Sequence, residues 1–363
     1  MIQTVFLYVF VLLVSFFWAK KAQASGKIRY IVFLILILTL LSGLRATSVG
    51  IDTQRYNYFF DLIKNGEFDY VWGVEYSYKI MMLLFSRLSK SFTIFILLIA
   101  LLTNMCIILR FWDYRDIVKF EWVVAVYYVM FYFYQMNIMR QMCAVAIVFF
   151  GSRYIEKGRY GLFLLFVVAG YLFHTSAVLG VMFFASEYLD WSNLSKRKKH
   201  FLGLAALLAP VAVLYVANKL STYLRYFTHF TLNVGAVLAI KFVMLLLSQW
   251  GLKRTVIRRR EMVGEKDCQS DSTGMGYRIT MVEIGYAVGL LICSVGYIIP
   301  YADRISLYFY IYECVYLGIL MKYKSVRSGY PLVIVLLYGL IFISLFFGGG
   351  QGQIPYLFFW QQG

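Results

Sequence analysis

The chain has 363 residues, of which 61% belong to the set Ala, Val, Ile, Leu, Met, Phe, Trp, Tyr and Cys and only 15% are charged, with a formal charge of +17. Soluble domains carry about 25% charged residues, and no stretch here is both long and polar enough to fold in water, so a separate soluble domain is excluded. The basic residues fall in short clusters between apolar runs, the pattern of the positive-inside rule, which argues against a nucleic-acid partner.

Residues 1–363 therefore read as one all-α, polytopic transmembrane domain. A helix needs about 20 apolar residues to cross a hydrocarbon core, and the runs predict about twelve spans. The first, 2–19, has no basic segment before it and no convincing cleavage site after it, so it is read as a span and not a signal peptide. The second, 29–44, ends at Arg45. The segment 45–74 contains GIDTQRY, where Gly50 predicts a turn and Asp52 and Thr53 are placed to cap a following helix. Residues 75–90 carry Ile80, Met81, Leu83, Leu84 and Leu88 at helical spacing and predict a partly inserted external helix opened by Glu75. Spans follow at 92–109, 121–136 and 138–152, with Arg140 at the turn between the last two. The short pair 161–173 and 175–189, with His174 between, reads as two spans or a re-entrant hairpin. Beyond KRKK at 196–199 come 201–218, 233–252, a charged loop at 253–278, then 279–299, 305–321 and 330–347.

With both termini outside, the inside loops 20–29, 110–119, 153–159, 196–199, 253–278 and 322–327 hold about two thirds of the 35 Lys and Arg. Residues 75–90 are kept out of the span count because a full span there would invert every later loop. The inside clusters are read as topology anchors at the lipid headgroups.

The outer face collects a different set. It has Arg45, Asp52, Arg55, Glu75, Arg140 in NIMRQ, His174 in FHTS, and Asp303 and Arg304 in PYADRIS. Ionisable groups near spans are costly and so are functional candidates. Guanidinium groups bind phosphate oxygens in a planar fork and stay charged, so three arginines can hold a diphosphate and stabilise its departure. Asp52, Glu75 or His174 can take a proton from an attacking hydroxyl. Plainer readings stand beside these. Arg45 can snorkel, Asp52 can serve only as a cap, and Glu75 can pair with Lys79. Arg140 can form a structural ion pair, His174 can be a packing residue, and Arg304 a boundary anchor. His200 reads as interfacial; His229 with Arg225 reads as external and able to join the site.

Five cysteines (Cys106, Cys143, Cys268, Cys293 and Cys314) show no CxxC spacing and indicate neither a disulfide framework nor a zinc site. No phosphate loop, HExxH or acidic pair for a sugar-nucleotide metal is present, and no Gly- or Pro-broken spans in matching halves suggest an inverted-repeat transporter.

In order, the chain has Arg45, GIDTQRYNYFF, Glu75 opening a tyrosine-rich helix, NIMRQMCAVAI, LFHTSAVLG, DRISLYFYIYE and a terminal IPYLFFW. This series, from 45 to 356, resembles the EpsG family of bacterial polysaccharide polymerases, a branch of the Wzy-type O-antigen and capsule polymerases. One departure is the spacing His174-Thr175-Ser176, with a residue inserted between His and Ser. The resemblance implies a GT-C-like glycosyltransferase at the outer face of the cytoplasmic membrane. Its implied substrate is an oligosaccharide repeat unit on undecaprenyl diphosphate, and its implied working partners are a chain-length regulator and a flippase. It implies a metal-independent reaction with no cofactor. By the same resemblance Glu75, His174 and Asp52 are the catalytic candidates, and Arg45, Arg140, Arg304, Gln141, Tyr56, Asp303 and Tyr356 the substrate-binding ones. A flippase or transporter of lipid-linked sugar, with polar residues through the depth of several spans, and a polysaccharide-modifying acyltransferase, with an inward-facing donor site, are the competing classes.

Overall fold

The computed structural model describes residues 2–184, 272–295, 302–323, 329–347 and 352–361. The predicted spans 201–218 and 233–252, the KRKK cluster, His200, Arg225, His229 and most of the loop 253–278 lie outside the described residues. All regular structure among the described residues is helical, apart from one isolated antiparallel bridge that pairs Arg45 with Phe358. The chain divides into two compact units, Met1–Gly180 with Leu317–Gly363, and Val181–Tyr316.

The helices of the first unit begin with α1 (Ile2–Ser25), α2 (Ile28–Gly43), α3 (Thr53–Lys64) and α4 (Tyr76–Leu88). They continue with α5 (Phe92–Asp113), α6 (Phe120–Met130), α7 (Met139–Gly151) and α8 (Tyr160–Phe173). The described helices of the second unit are α9 (Ser272–Val295) and α10 (Ala302–Tyr310). The next helix, α11 (Tyr312–Tyr323), crosses the division, and α12 (Tyr330–Phe347) returns to the first unit.

Helix α1 shows why this fold needs lipid. Its buried residues Thr4, Tyr8, Val11, Ser15, Ala19 and Ala22 recur every three or four positions, a single stripe. Phe6, Phe10, Leu13 and Phe17 on the rest of its surface are exposed. A helix that buries its small and polar residues and turns large apolar ones outward is built for a hydrocarbon solvent. By length and composition α1 and α5 can each cross a membrane, and the pair Asp303–Tyr310 and Tyr312–Tyr323, bent by 46°, adds a third if it is one span. The chain is a membrane protein.

Several boundaries differ from the sequence reading. The expected span 121–136 breaks at Met130, and a 3-10 turn covers Tyr132–Met136. Side-chain bonds hold that tighter turn. The Tyr132 hydroxyl donates to Leu38 O at 2.6 Å, and Gln135 exchanges hydrogen bonds with the buried Asn104 amide. The stretch after His174 begins as a 3-10 helix, Thr175–Phe184. The predicted 305–321 span is the bent pair α10 and α11, and the expected loop to 278 becomes helical from Ser272. Asp52 does occupy the N-cap of α3 but makes no side-chain cap bond. Thr53 does not cap either: its Oγ1 donates to the Val49 and Met136 carbonyls.

The first unit has two chemically distinct ends. At one, Gln23 donates to Arg115 O and Val118 O and accepts from Phe120 N. The buried Arg110 pairs there with Glu156, and Lys322 reaches Asp116 O. These contacts gather four of the predicted inside loops. At the other end Tyr8 OH donates to Gln353 O at 2.6 Å, some 22 Å of helix away from Gln23 at about 1.5 Å per residue.

Candidate functional site

At the Tyr8 end, the sequence after α2 reverses direction without forming a helix. Arg45 bridges to Phe358, Ala46 N donates to Leu357 O, and Phe359 N donates to Leu44 O. Gly50 then takes φ +91 and donates its amide to Gly352 O at 2.7 Å. A Cβ there would collide with the Met136 carbonyl and lie 2.9 Å from Asn137 Oδ1, so only glycine fits both the torsion and the space. Asn137 Oδ1 accepts from Ile51 N at 2.8 Å. This turn launches α3, whose first turn presents Tyr56.

Tyr56 meets the central pair of the site. Arg140, in the first turn of α7, donates through Nε to the Tyr56 hydroxyl at 3.2 Å and through Nη2 to Gly73 O at 3.2 Å. Its Nη1 forms an ion pair with Glu75 Oε2. The other carboxylate oxygen, Oε1, accepts from Thr175 N at 3.2 Å. Glu75 stands at the N-cap of α4, so one carboxylate ties together the starts of α4 and α7 and the turn after α8. The expected Lys79 partner reaches Phe68 O instead. Both members of the pair keep some accessible surface, 12% for the Arg140 side chain and 14% for Glu75. Three of the five guanidinium N–H donors are used in these bonds, which leaves two for a ligand.

Beneath the guanidinium lies Tyr78, fully buried, with its ring centroid 5.7 Å from Arg140 Cζ. Among the described residues its hydroxyl has no hydrogen-bond partner, and burial raises its pKa, so it stays a neutral donor. His174 caps α8, and its Nδ1 lies 2.6 Å from Ser176 Oγ and accepts the Ser176 amide at 3.3 Å. An amide nitrogen can only donate, so in the neutral ring the proton sits on Nε2. That tautomer makes Nε2 a donor toward an acceptor oxygen and not a proton acceptor.

Arg45 is 2% exposed and takes part in no ion pair among the described residues. Its guanidinium is held by Ser42 O, Thr53 Oγ1 and Met136 O, beside a small cavity also lined by Thr103, Gln135 and Met139. Burial lowers its pKa to about 10, and it stays charged at neutral pH. Tyr356 is buried, with its hydroxyl committed to Leu41 O and its amide to Thr4 Oγ1. Asp52 is half-buried, Gln141 is buried, and Arg55 is exposed and stacked on aromatic rings. In the second unit Asp303 and Arg304 occupy the first turn of α10, and Ser306 Oγ donates to Asp303 O.

A family model described as the EpsG family matches residues 28–358. The chain belongs to the EpsG family. No curated protein and no solved structure matches it. The match covers every residue of the Arg140 cluster. Sequence reasoning missed several groups at this end of the unit: the Gly73 carbonyl, the Thr175 amide, Asn137 and Tyr78. Two of these are backbone groups, which carry no sequence signal. Asn137 opens NIMRQMCAVAI and Tyr78 follows Glu75 in the tyrosine-rich helix, so closeness in sequence to Arg140 and Glu75 was the available clue. Glu313, fully buried near the Tyr286 and Tyr310 hydroxyls in the second unit, was likewise hidden in an aromatic run.

Proposed function

We propose that this chain polymerises oligosaccharide repeat units carried on a polyprenyl diphosphate, working on the outer side of the cytoplasmic membrane. The single observation that carries the reading is the Arg140–Glu75 pair, a partly accessible cation and carboxylate with a tyrosine donor beneath it, at the end of the unit opposite the basic loops. A buried phosphate-binding site and a proton acceptor are what this transfer demands. The family assignment supports the same class of reaction.

The chemistry follows from the pairing. A diphosphate entering the site draws the Arg140 guanidinium onto its oxygens. That loosens Glu75, whose carboxylate then accepts the proton of an acceptor sugar hydroxyl. The hydroxyl oxygen bonds to the anomeric carbon of the growing chain while the bond from that carbon to the phosphate oxygen breaks. The electron pair leaves with the diphosphate, whose charge Arg140, the Tyr78 hydroxyl and His174 Nε2–H stabilise. Arg304 is assigned to the same phosphate chemistry by the order of motifs alone. Arginines supply the positive charge in this scheme, and no metal is required.

Deleting the gene and resolving surface glycans by length tests the function. Loss of long chains with single repeats retained supports it; unchanged lengths, or loss of all glycan, refute it. Arg140→Lys keeps the charge but loses the planar fork, and should lower polymerisation by about 100-fold. A wild-type ladder in that variant removes Arg140 from the site.

A further inference from the structure

Arg55 has no part in the chemistry above, yet it fixes a neighbouring surface. Its Cζ lies 5.1 Å from the Phe59 ring centroid and 4.7 Å from that of Trp72. Trp72 is 69% exposed. It lies between the 3-10 turn Phe68–Tyr70 and α4, so no helix carries it. The indole is nevertheless held in place. Arg55 covers part of it, and the next residue, Gly73, takes φ +70 and gives its carbonyl to Arg140 Nη2. A Cβ on Gly73 would lie 3.6 Å from Arg55 Nη2. Arg55 and Arg140 therefore both hold the dipeptide Trp72–Gly73, and the indole belongs to the residue next to the carbonyl that Arg140 binds.

Two occupants suit an exposed tryptophan near a membrane: lipid headgroups and sugar. Headgroup-level aromatics terminate lipid-facing helices. Trp72 instead sits in a loop whose Glu67 and Asp69 are exposed carboxylates, and whose backbone is fastened to the reactive pair. A pyranose matches this environment. One of its faces is a patch of C–H groups that packs on an aromatic ring, while its rim of hydroxyls needs polar neighbours. The sugar attached to a diphosphate must also lie within one ring's width of the phosphate-binding cation.

We propose that Trp72, held by Arg55, is a stacking platform for a pyranose ring of the oligosaccharide substrate. Its backbone is tied to Arg140 through the Gly73 carbonyl, and its ring selects for a sugar with an accessible C–H face. This rests on the polymerase reading and adds a sugar subsite to it.

The test uses the full-length protein in phospholipid nanodiscs. The probe is the phosphate-free oligosaccharide released by mild acid from the lipid-linked material of cells lacking the gene, and binding is titrated by saturation-transfer NMR. Wild-type protein should bind. Trp72→Phe, which keeps a smaller ring, should weaken binding a few-fold, and Trp72→Ala by about tenfold, near 1.4 kcal/mol. Monodisperse elution of both variants confirms folding, as the exposed position predicts. Wild-type affinity in Trp72→Ala, with a normal glycan ladder in cells, overturns the platform and leaves the polymerase standing. Lower retention of Trp72→Ala in carbonate-washed membranes with unchanged sugar binding identifies a lipid anchor and overturns it too. If wild-type protein binds no oligosaccharide and gene deletion leaves glycan length unchanged, both readings fall.

Discussion

At the scale of single residues, two arginines at the same end of one unit have opposite surroundings. Arg140 faces a carboxylate and keeps an opening; Arg45 is closed in by carbonyls and a hydroxyl. Both were legible as arginines at span boundaries, Arg45 able to snorkel and Arg140 set between two apolar spans, but the partners of neither can be read from the sequence. The difference arises because the segments around 136 and 352–358 fold over Arg45, and contacts so distant in sequence leave no local pattern. His174 was legible as a candidate, but its tautomer depends on the Ser176 amide. Tyr78 gives the sharpest test at this scale. A buried hydroxyl with no partner costs about 1–3 kcal/mol, so Tyr78→Phe should leave thermal stability unchanged or raise it. If the hydroxyl donates to the leaving diphosphate, the same change should slow polymerisation by about tenfold. Unfolding in detergent and chain growth measured on one preparation separate the two effects, and full activity would show the hydroxyl idle.

At the scale of elements, long apolar helices were readable because their composition is uniform: α5 and α12 start where the hydropathy begins. Helix ends and short elements were less so. The aromatic run 127–134 looks continuous, yet α6 stops at Met130 because Tyr132 and Gln135 bond to α2 and α5. The turn at Gly50 was legible from glycine, whereas capping by Asp52 and Thr53 was not realised, since Thr53 is claimed by two carbonyls. Gly50→Ala would force a side chain into φ +91 and against the 136–137 backbone. A loss of about 2 kcal/mol is expected from the torsion and the overlap. Because this turn positions Tyr56 against Arg140, the variant should also shorten surface chains at temperatures where it stays folded. A ladder of normal length from protein of normal stability would show that the turn tolerates a Cβ.

At the scale of the molecule, the first unit has the Arg140–Glu75 pair at one end and a buried basic network at the other. The basic end is held by a buried network in which Arg110, 0% exposed, bonds Glu156, Ser152, Tyr114 and Asp113. Removing one partner of a buried pair costs about 3–5 kcal/mol. Glu156→Gln should therefore reduce the amount of folded protein in the membrane while the surviving molecules make chains of normal length. Shortened chains at normal protein levels would mean that the two ends are coupled. Lys and Arg counts alone assigned these loops to a common side, and in the structure four of them touch at one end of the first unit. Those counts included Arg110 as a loop residue, whereas it belongs to the core.

The docking of residues 352–358 also sets a timetable. Tyr8 finds its acceptor in Gln353, 345 residues later, and Gly50 and Tyr356 depend on the same meeting. At about 5–20 residues per second, a ribosome needs roughly 20–70 s to cover that interval. During that time the Tyr8 hydroxyl, the Thr4 hydroxyl and the Gly50 amide lack these partners, and the GIDTQRY turn is unsupported. A ribosome stalled before Gln353 therefore leaves a chain in which Tyr8, Arg45 and Gly50 lack the partners they have in the finished fold.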